Sequence, residues 1–155
     1  MDTDEQALLA VERAMVRIRR SMGRRTFGKA LLAKLDRPED LALFAVLDAV
    51  DEGPGEAGAV TVTGVAERMN LDASRASRVV AAAVASGHVA RVASQRDGRR
   101  VGLELTASGR ALVDRVHRFR QQRFAAAMRT WTPAERAEFA RLLTRFTTSE
   151  AEDNR

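Results

Sequence analysis

Two clusters of side chains near the middle of the 155-residue sequence have the chemistry to bind an anionic partner. Their members are Ser74, Arg75, Ser77 and Arg78 in the first, and Arg96, Arg99 and Arg100 in the second. An arginine guanidinium binds phosphates and base edges through a planar fork of donors, and serine can hydrogen-bond to either group. The clusters therefore predict contact with a nucleic acid, and the alternative is that both are solvated surface.

The second cluster surrounds an Asp97-Gly98 pair that separates two apolar runs, residues 89–93 and 101–105. Asp-Gly between apolar runs is a strong hairpin signal, so this segment predicts a two-stranded ribbon with a basic tip. A carboxylate in a phosphate-facing loop needs a role of its own. Asp97 is explained as an internal partner that accepts hydrogen bonds from Arg99 or from the turn.

The first cluster lies at the start of a predicted helix that Asp72 caps and Gly87 ends. A shorter helix, capped by Thr61, precedes it after a few residues, and this pair predicts a helix-turn-helix. Residues 74, 75 and 78 share one face of the second helix, where a recognition helix presents its side chains to the major groove. Taken alone, the pattern of this helix is explained equally well by a solvated amphipathic helix and by a DNA-binding one. The basic ribbon directly after it favours DNA binding.

Charge and composition narrow the function classes. The net charge is +5, and residues 60–110 carry eight arginines against four acidic residues, whereas residues 38–59 carry six acidic residues and no basic one. The absence of cysteine excludes disulfides, thiolate nucleophiles and cysteine-based zinc sites. His88 and His117 are predicted at a loop edge and on a helix surface, which makes a poor metal site. We therefore predict no cofactor, no metal and no enzymatic activity.

The N-terminus lacks the basic segment and unbroken apolar stretch of a signal peptide, and no apolar run is long enough to span a membrane. A cytoplasmic protein without a membrane partner is predicted. The sequence GPGEAG at residues 53–58 matches a glycine-rich nucleotide motif only literally. A helix precedes it where a strand is required, so it predicts a flexible loop.

The remaining segments predict a helical frame with one short strand, residues 59–62, before the helix-turn-helix. Capping signals begin helices at residues 36–39, at Thr106 and at Thr132-Pro133. Two apolar stripes occur near the ends of the chain, and each fits core packing or contact with a second subunit. The N-terminal stripe consists of Leu8, Val11, Met15, Ile18 and Met22, and the C-terminal stripe of Phe139, Leu142, Leu143 and Phe146.

A resemblance to a known family is carried by three stretches: VTVTGVAERMNLDASRASRVVAAAVASGHVAR, DGR and LTASGRALV. They resemble the MarR family of bacterial winged-helix regulators over about residues 36–110, and the whole chain resembles it less distinctively. The resemblance implies a mainly α fold with a small β-wing. It implies a single domain over residues 1–155, with a winged helix-turn-helix lobe at 36–110, a helical dimerisation region at 1–35 and 111–150, and a frayed tail at 151–155.

In the site, the resemblance implies that Ser74, Arg75, Ser77 and Arg78 contact the major groove. It also implies that Arg99 reaches DNA while Asp97 orders the wing, with Arg96 and Arg100 on the minor groove or backbone. A homodimer is implied, and its two-fold symmetry predicts a palindromic double-stranded operator with half-site centres about 10 bp apart.

Members of the family often bind a small aromatic or lipophilic effector between the dimer helices and the winged lobe. This sequence offers an apolar lining with arginine as an anion partner, although core packing explains the apolar residues equally well. The residues are Met15, Ile18, Met22, Phe44 and Phe119, with Arg17 or Arg20 for the anion. The absence of cysteine argues against control by thiol oxidation.

The predicted function is a sequence-specific, dimeric DNA-binding transcription regulator, a repressor of nearby genes that a small-molecule effector relieves. Three alternatives remain open at this point. They are a non-specific architectural DNA-binding protein, a transcriptional activator of the same fold, and a protein-interaction module that depends on its helices.

Overall fold

The capping and apolar patterns of the sequence produce helices and strands at nearly the predicted places in a computed structural model. The structure describes residues 2–23, 30, 33, 41–54, 58–93 and 101–153, without the side chains of 21–23 and 150–153. Within these residues the chain forms six helices and two strands. They are α1 (Thr3–Gly23), α2 (Leu41–Asp51), α3 (Val62–Met69), α4 (Ala73–Ala85), β1 (Val89–Ala93), β2 (Val101–Leu105), α5 (Ala107–Ala127) and α6 (Pro133–Asp153).

The predicted fold class, mainly α with a small β-wing, is confirmed. The chain divides into two compact units, residues 1–116 and residues 117–155, and α5 runs from the first into the second. None of the helices within the described residues is long and apolar enough to cross a membrane.

Local capping explains how the helix-turn-helix forms. The Thr61 hydroxyl accepts the backbone N–H of Gly64 at 3.1 Å and starts α3, as the sequence predicted. Asn70 ends α3 in a left-handed conformation, with φ 50° and ψ 50°. The backbone N–H of Leu71 then bonds to the carbonyl of Ala66 at 2.9 Å, and Asp72 caps α4. The turn is therefore closed by a backbone hydrogen bond at the end of α3 and by a side-chain cap at the start of α4.

The core of the first unit lies between α2, α3, α4 and the two strands. Its most deeply buried side chains include Val46, Leu47, Val65, Val80 and Val89. In α2, Val46 and Ala49 are buried together with Phe44, Leu47 and Val50, so the buried surface is wider than one helix face. The reason is that α2 contacts α3, α4 and β2, so it is covered on more than one side.

The predicted short strand at residues 59–62 is wrong. Its contribution to the sheet is one backbone hydrogen bond, from the N–H of Leu103 to the carbonyl of Val60 at 2.8 Å. Thr61 instead adopts the cap position of α3, and Val62 is already helical. Helix capping, and not strand pairing, therefore determines the conformation of this segment. The predicted start of the second helix at residues 36–39 lies outside the described residues.

The wing strands pair as predicted, antiparallel, with Val89 opposite Leu105 and Ala93 opposite Val101. Gly87 connects α4 to β1 with φ 77°, a conformation that favours glycine. Its carbonyl accepts the hydroxyls of Thr106 at 2.7 Å and Ser108 at 3.0 Å. The end of α4 and the start of α5 are therefore tied to one turn.

His88 follows that turn, and its side chain is buried rather than exposed at the loop edge, with 6% of its surface accessible. Its ring nitrogen Nδ1 lies 2.9 Å from the hydroxyl of Ser86. A hydrogen-bonded, buried imidazole of this kind is a structural group of the lobe.

The start of α6 carries the predicted capping box. The backbone N–H of Thr132 donates to Glu135 Oε2 at 2.7 Å, and the Thr132 hydroxyl accepts the N–H of Glu135 at 3.2 Å. Hydrogen bonds from the backbone and then the hydroxyl of Thr132 lower the pKa of Glu135 below its ordinary value. The cap is thus made by the ionised carboxylate.

The members of both terminal apolar stripes whose side chains the structure describes are exposed. On α1, Leu8, Val11, Met15 and Ile18 are all at least 39% accessible, and on α6 the figures run from 37% for Phe146 to 44% for Phe139. Phe139 also packs edge-on against Trp131, with ring centroids 5.2 Å apart. Each side chain of the α6 stripe therefore keeps more than a third of its surface accessible.

Candidate DNA-binding surface

The N-terminal half of α4 presents the first predicted cluster to solvent. Its four members are all exposed: Ser74, Arg75, Ser77 and Arg78. The residues between and after them, Ala76, Val80 and Ala83, are buried against the rest of the unit. The helix therefore has one face fixed in the core and one polar face outside, which is the arrangement that a recognition helix needs.

Arg75 is held at both its backbone and its side chain by Asp72. The backbone N–H of Arg75 donates to Asp72 Oδ1 at 2.8 Å, and Arg75 Nε lies 3.3 Å from Asp72 Oδ2. The Arg75 side chain nevertheless remains 68% exposed. The carboxylate of the helix cap thus orients the guanidinium at the exposed end of α4. The sequence marked Asp72 as a cap, and its Asp-x-x-Arg spacing was the signal for this second contact.

Arg78 lies one turn further along the same face. Its Nε atom donates to the carbonyl of Ser74 at 3.4 Å, so this guanidinium is directed back along the helix. The two arginines therefore point toward the same N-terminal end of α4. That end is where helix backbone N–H groups also favour negative charge.

Two other arginines of the basic region donate hydrogen bonds to backbone carbonyls of the first unit. Arg68, at the end of α3, donates to the carbonyls of Ala49 and Gly53, the latter at 2.6 Å, and its Nε lies 3.4 Å from Glu52. Arg110 donates to the carbonyl of Leu105. Both residues remain exposed, but their guanidinium groups are engaged by backbone acceptors of the first unit.

The basic tip of the ribbon lies outside the described residues. This applies to Arg96, Asp97, Arg99 and Arg100, whose strands β1 and β2 are described on either side. The two strands bring the ends of that segment together directly after α4. Exposed Arg91 on β1 adds a basic side chain to the wing that the sequence patterns did not single out.

The predicted effector residues fall into different environments. Met15, Arg17, Ile18 and Arg20 are exposed on α1, and the side chain of Met22 lies outside the description. Phe44 is buried in the core of the first unit, and Phe119 is a half-buried residue of the second.

A separate open cavity of about 320 Å³ in the first unit lies between the end of α2 and the wing strands. Its apolar floor includes Val60 and Leu103, and its polar groups include Asp51, Glu104 and Arg110. None of the predicted effector residues lines it.

Comparison with known proteins gives one family. Residues 42–100 match the model of the MarR family. No curated protein matches the sequence significantly.

Solved structures share this fold over most of the chain. A MarR family protein from Bacillus stearothermophilus is similar at 24% identity, with 97% of this chain and 99% of that chain covered and a TM-score of 0.75. A MepR mutant from S. aureus bound to an oligodeoxyribonucleotide is similar at 18% identity, with 87% and 96% covered and a TM-score of 0.55. S. aureus MepR bound to ethidium bromide is similar at 16% identity, with 83% and 94% covered and a TM-score of 0.58.

Proposed function

Since residues 42–100 match the model of the MarR family, we propose that the chain is a sequence-specific, DNA-binding transcription regulator. The observation that carries the proposal is the exposed polar face at the N-terminal end of α4, followed directly by a two-stranded wing. Ser74, Arg75, Ser77 and Arg78 would contact the major groove, where arginine reads guanine through O6 and N7. The MepR structure with an oligodeoxyribonucleotide supports a DNA ligand for this fold.

The regulator is proposed to act as a repressor that competes with polymerase for promoter DNA. A binding scan of the protein against DNA upstream of its own and neighbouring genes tests this. The expected result is one or a few palindromic sites with half-site centres about 10 bp apart. Uniform retention of all fragments would instead support a non-specific architectural protein, and activation from a bound site would support an activator of the same fold.

The wing is proposed to bind the minor groove or backbone through Arg96, Arg99 and Arg100, with Asp97 ordering the loop. Replacement of Arg99 with alanine is expected to weaken binding to all DNA sequences alike. It should also reduce the slope of log affinity against log salt by about 1, because one phosphate contact is lost. Titrations of operator and scrambled DNA at several salt concentrations measure both quantities. A loss confined to one operator base pair would contradict the wing assignment.

A homodimer is proposed in which the exposed apolar stripes of α1 and α6 are covered by the partner copy. Large apolar residues gathered on one exposed face mark an interaction site, and a two-fold axis makes the same patch complementary to itself. The α6 stripe includes Leu142, of which 39% is accessible in the single chain. Burial of such a face in an isologous interface would place two recognition helices on one palindrome.

Replacement of Leu142 with glutamate is expected to raise the dimer dissociation constant at least about tenfold, because a carboxylate would have to be desolvated at the interface. Sedimentation equilibrium over a range of concentrations measures this constant. Ala137→Glu, an exposed position on the opposite side of α6, is the matched control and is expected to leave the constant unchanged. Equal behaviour of the two variants would contradict an interface on this stripe.

Control by a small aromatic or lipophilic effector is proposed as the means of relieving repression. The supporting observation is that MepR, which shares the fold, binds ethidium. In this chain, Met15, Ile18, Met22, Phe44 and Phe119 would contribute to the apolar lining, and Arg17 or Arg20 would pair with an anionic group. No catalytic step is part of this proposal, because binding equilibria alone account for regulation.

A further inference from the structure

Within the part of the chain that the structure describes, the carboxylate of Asp72 contacts Arg75 with both of its oxygens. Oδ1 accepts the backbone N–H of Arg75 at 2.8 Å, which caps α4, while Oδ2 lies 3.3 Å from Nε of the same residue. A serine or asparagine at this position could cap the helix equally well. The negative charge of Asp72 is therefore unnecessary for capping, although it lies within the polar surface proposed to contact DNA.

The contact is made at Nε of Arg75, and the side chain as a whole remains 68% exposed. Arginine has five N–H donors, of which Nε carries one and the two terminal nitrogens carry four. Bidentate binding of guanine O6 and N7 requires two of these donors in a fixed plane. A carboxylate on the Nε side restricts the plane of the group and keeps the terminal nitrogens available.

The Asp72 carboxylate also affects contacts between Arg75 and DNA phosphates, which carry no sequence information. A DNA phosphate that approached Arg75 would also approach Asp72, because the two side chains lie 3.3 Å apart. Repulsion between carboxylate and phosphate opposes that contact, whereas a guanine edge carries no net charge. Asp72 therefore disfavours backbone binding by Arg75 more than it disfavours base binding, which is a repulsive route to specificity.

From this geometry we propose that Asp72 is a specificity-determining residue of the DNA-binding surface. It positions Arg75 for a base edge and weakens the use of Arg75 as a phosphate contact. The inference rests on the proposed DNA-binding function. It goes beyond that function because it assigns a role in discrimination between DNA sequences to an acidic residue, whose charge has the same sign as that of DNA.

The test compares wild type with Asp72→Asn, which retains an oxygen to cap α4 but removes the charge, and with Asp72→Ser as a second capping residue. Affinities for operator and scrambled DNA are measured at several salt concentrations. Both variants are expected to bind scrambled DNA several-fold more tightly, and the operator-to-scrambled ratio is expected to fall about tenfold. The salt slope on scrambled DNA should steepen by about 0.9 for each phosphate newly bound.

Glu138→Gln is the matched control, because Glu138 forms the corresponding i,i+3 pair with Arg141 on α6, at 2.7 Å, in the other unit. It changes the net charge by the same amount and is expected to leave the ratio and slope at wild-type values. Thermal unfolding of each variant verifies that α4 remains folded.

Three results would overturn the inference. In the first, the Asp72 variants retain the wild-type ratio and slope, so the residue is a cap alone. In the second, preference changes at one base pair while scrambled DNA is bound as before, so Asp72 itself reads a base. In the third, wild type shows no preference for any site, and this failure of the proposed function is recognised before any variant is compared.

Discussion

Arg75→Ala is expected to remove about 1–3 kcal/mol of discrimination at one base pair of each half-site. The Arg75 side chain is 68% exposed on the first turn of α4, and its Nε lies 3.3 Å from Asp72 at the helix cap. The cap itself should survive the substitution, because Asp72 Oδ1 bonds to the backbone N–H of residue 75. The expected loss is therefore one of base preference and not of folding.

The measurement is a set of titrations with the operator and with every single-base-pair variant of it. Arg145→Ala, which removes an exposed arginine of α6, controls for the change in net charge and is expected to retain the full base preference. Equal loss by Arg75→Ala on operator and random DNA would remove Arg75 from the residues that read sequence.

Gly109→Ala is expected to destabilise the first unit by about 3 kcal/mol or more, because the added Cβ would clash with a backbone carbonyl of the core. A Cβ built at Gly109 would lie 2.0 Å from the carbonyl oxygen of His88. That oxygen is fixed by the N–H of Thr106 at 3.0 Å, and it belongs to the backbone between α4 and β1. Relief of the clash requires α5 to move away from the wing.

Thermal or denaturant unfolding measures the effect, and the midpoint temperature should fall by roughly 10 °C. Gly64→Ala is the matched control within the same lobe. A Cβ there would meet only the Thr61 hydroxyl oxygen, at 3.6 Å, which is ordinary contact. Alanine in place of helical glycine should therefore stabilise the protein by about 0.5–1 kcal/mol. The same sign for both variants would contradict the close approach at Gly109.

Short-range chemistry made much of this fold predictable. Thr61, Asp72 and Thr132 each supply a side-chain oxygen at a helix start, and each bonds to the backbone as expected. Gly87 supplies the left-handed turn that ends α4. Caps and turns depend on residues three or four positions apart, so one sequence is enough to find them.

Contacts between distant residues were not predictable in the same way. The approach of Gly109 to His88 depends on how α5 returns to the end of α4, and a lone glycine carries no signal of its partner. The charge pattern includes Arg68 in the basic region, but the guanidinium of Arg68 donates to the carbonyls of Ala49 and Gly53. The charge pattern thus located the basic region but could not separate its structural arginines from those available to a ligand.

The apolar stripes illustrate a third case. Their spacing predicted buried helix faces, yet Phe139 and Leu142 are exposed on the chain by itself. A period of 3.6 residues identifies an apolar face but does not identify whether the same chain or a second copy covers it. The dimer proposal supplies the missing surface, and Leu142→Glu tests it.

This winged helix-turn-helix is proposed to distinguish one DNA sequence from others. The direct measurement is a competition titration of the wild-type protein between its upstream site and a scrambled duplex of equal length and composition, at one fixed salt concentration near physiological. We expect the upstream site to bind at least about 1,000-fold more tightly. A ratio near one, or no retention of either duplex, would contradict a sequence-specific regulator.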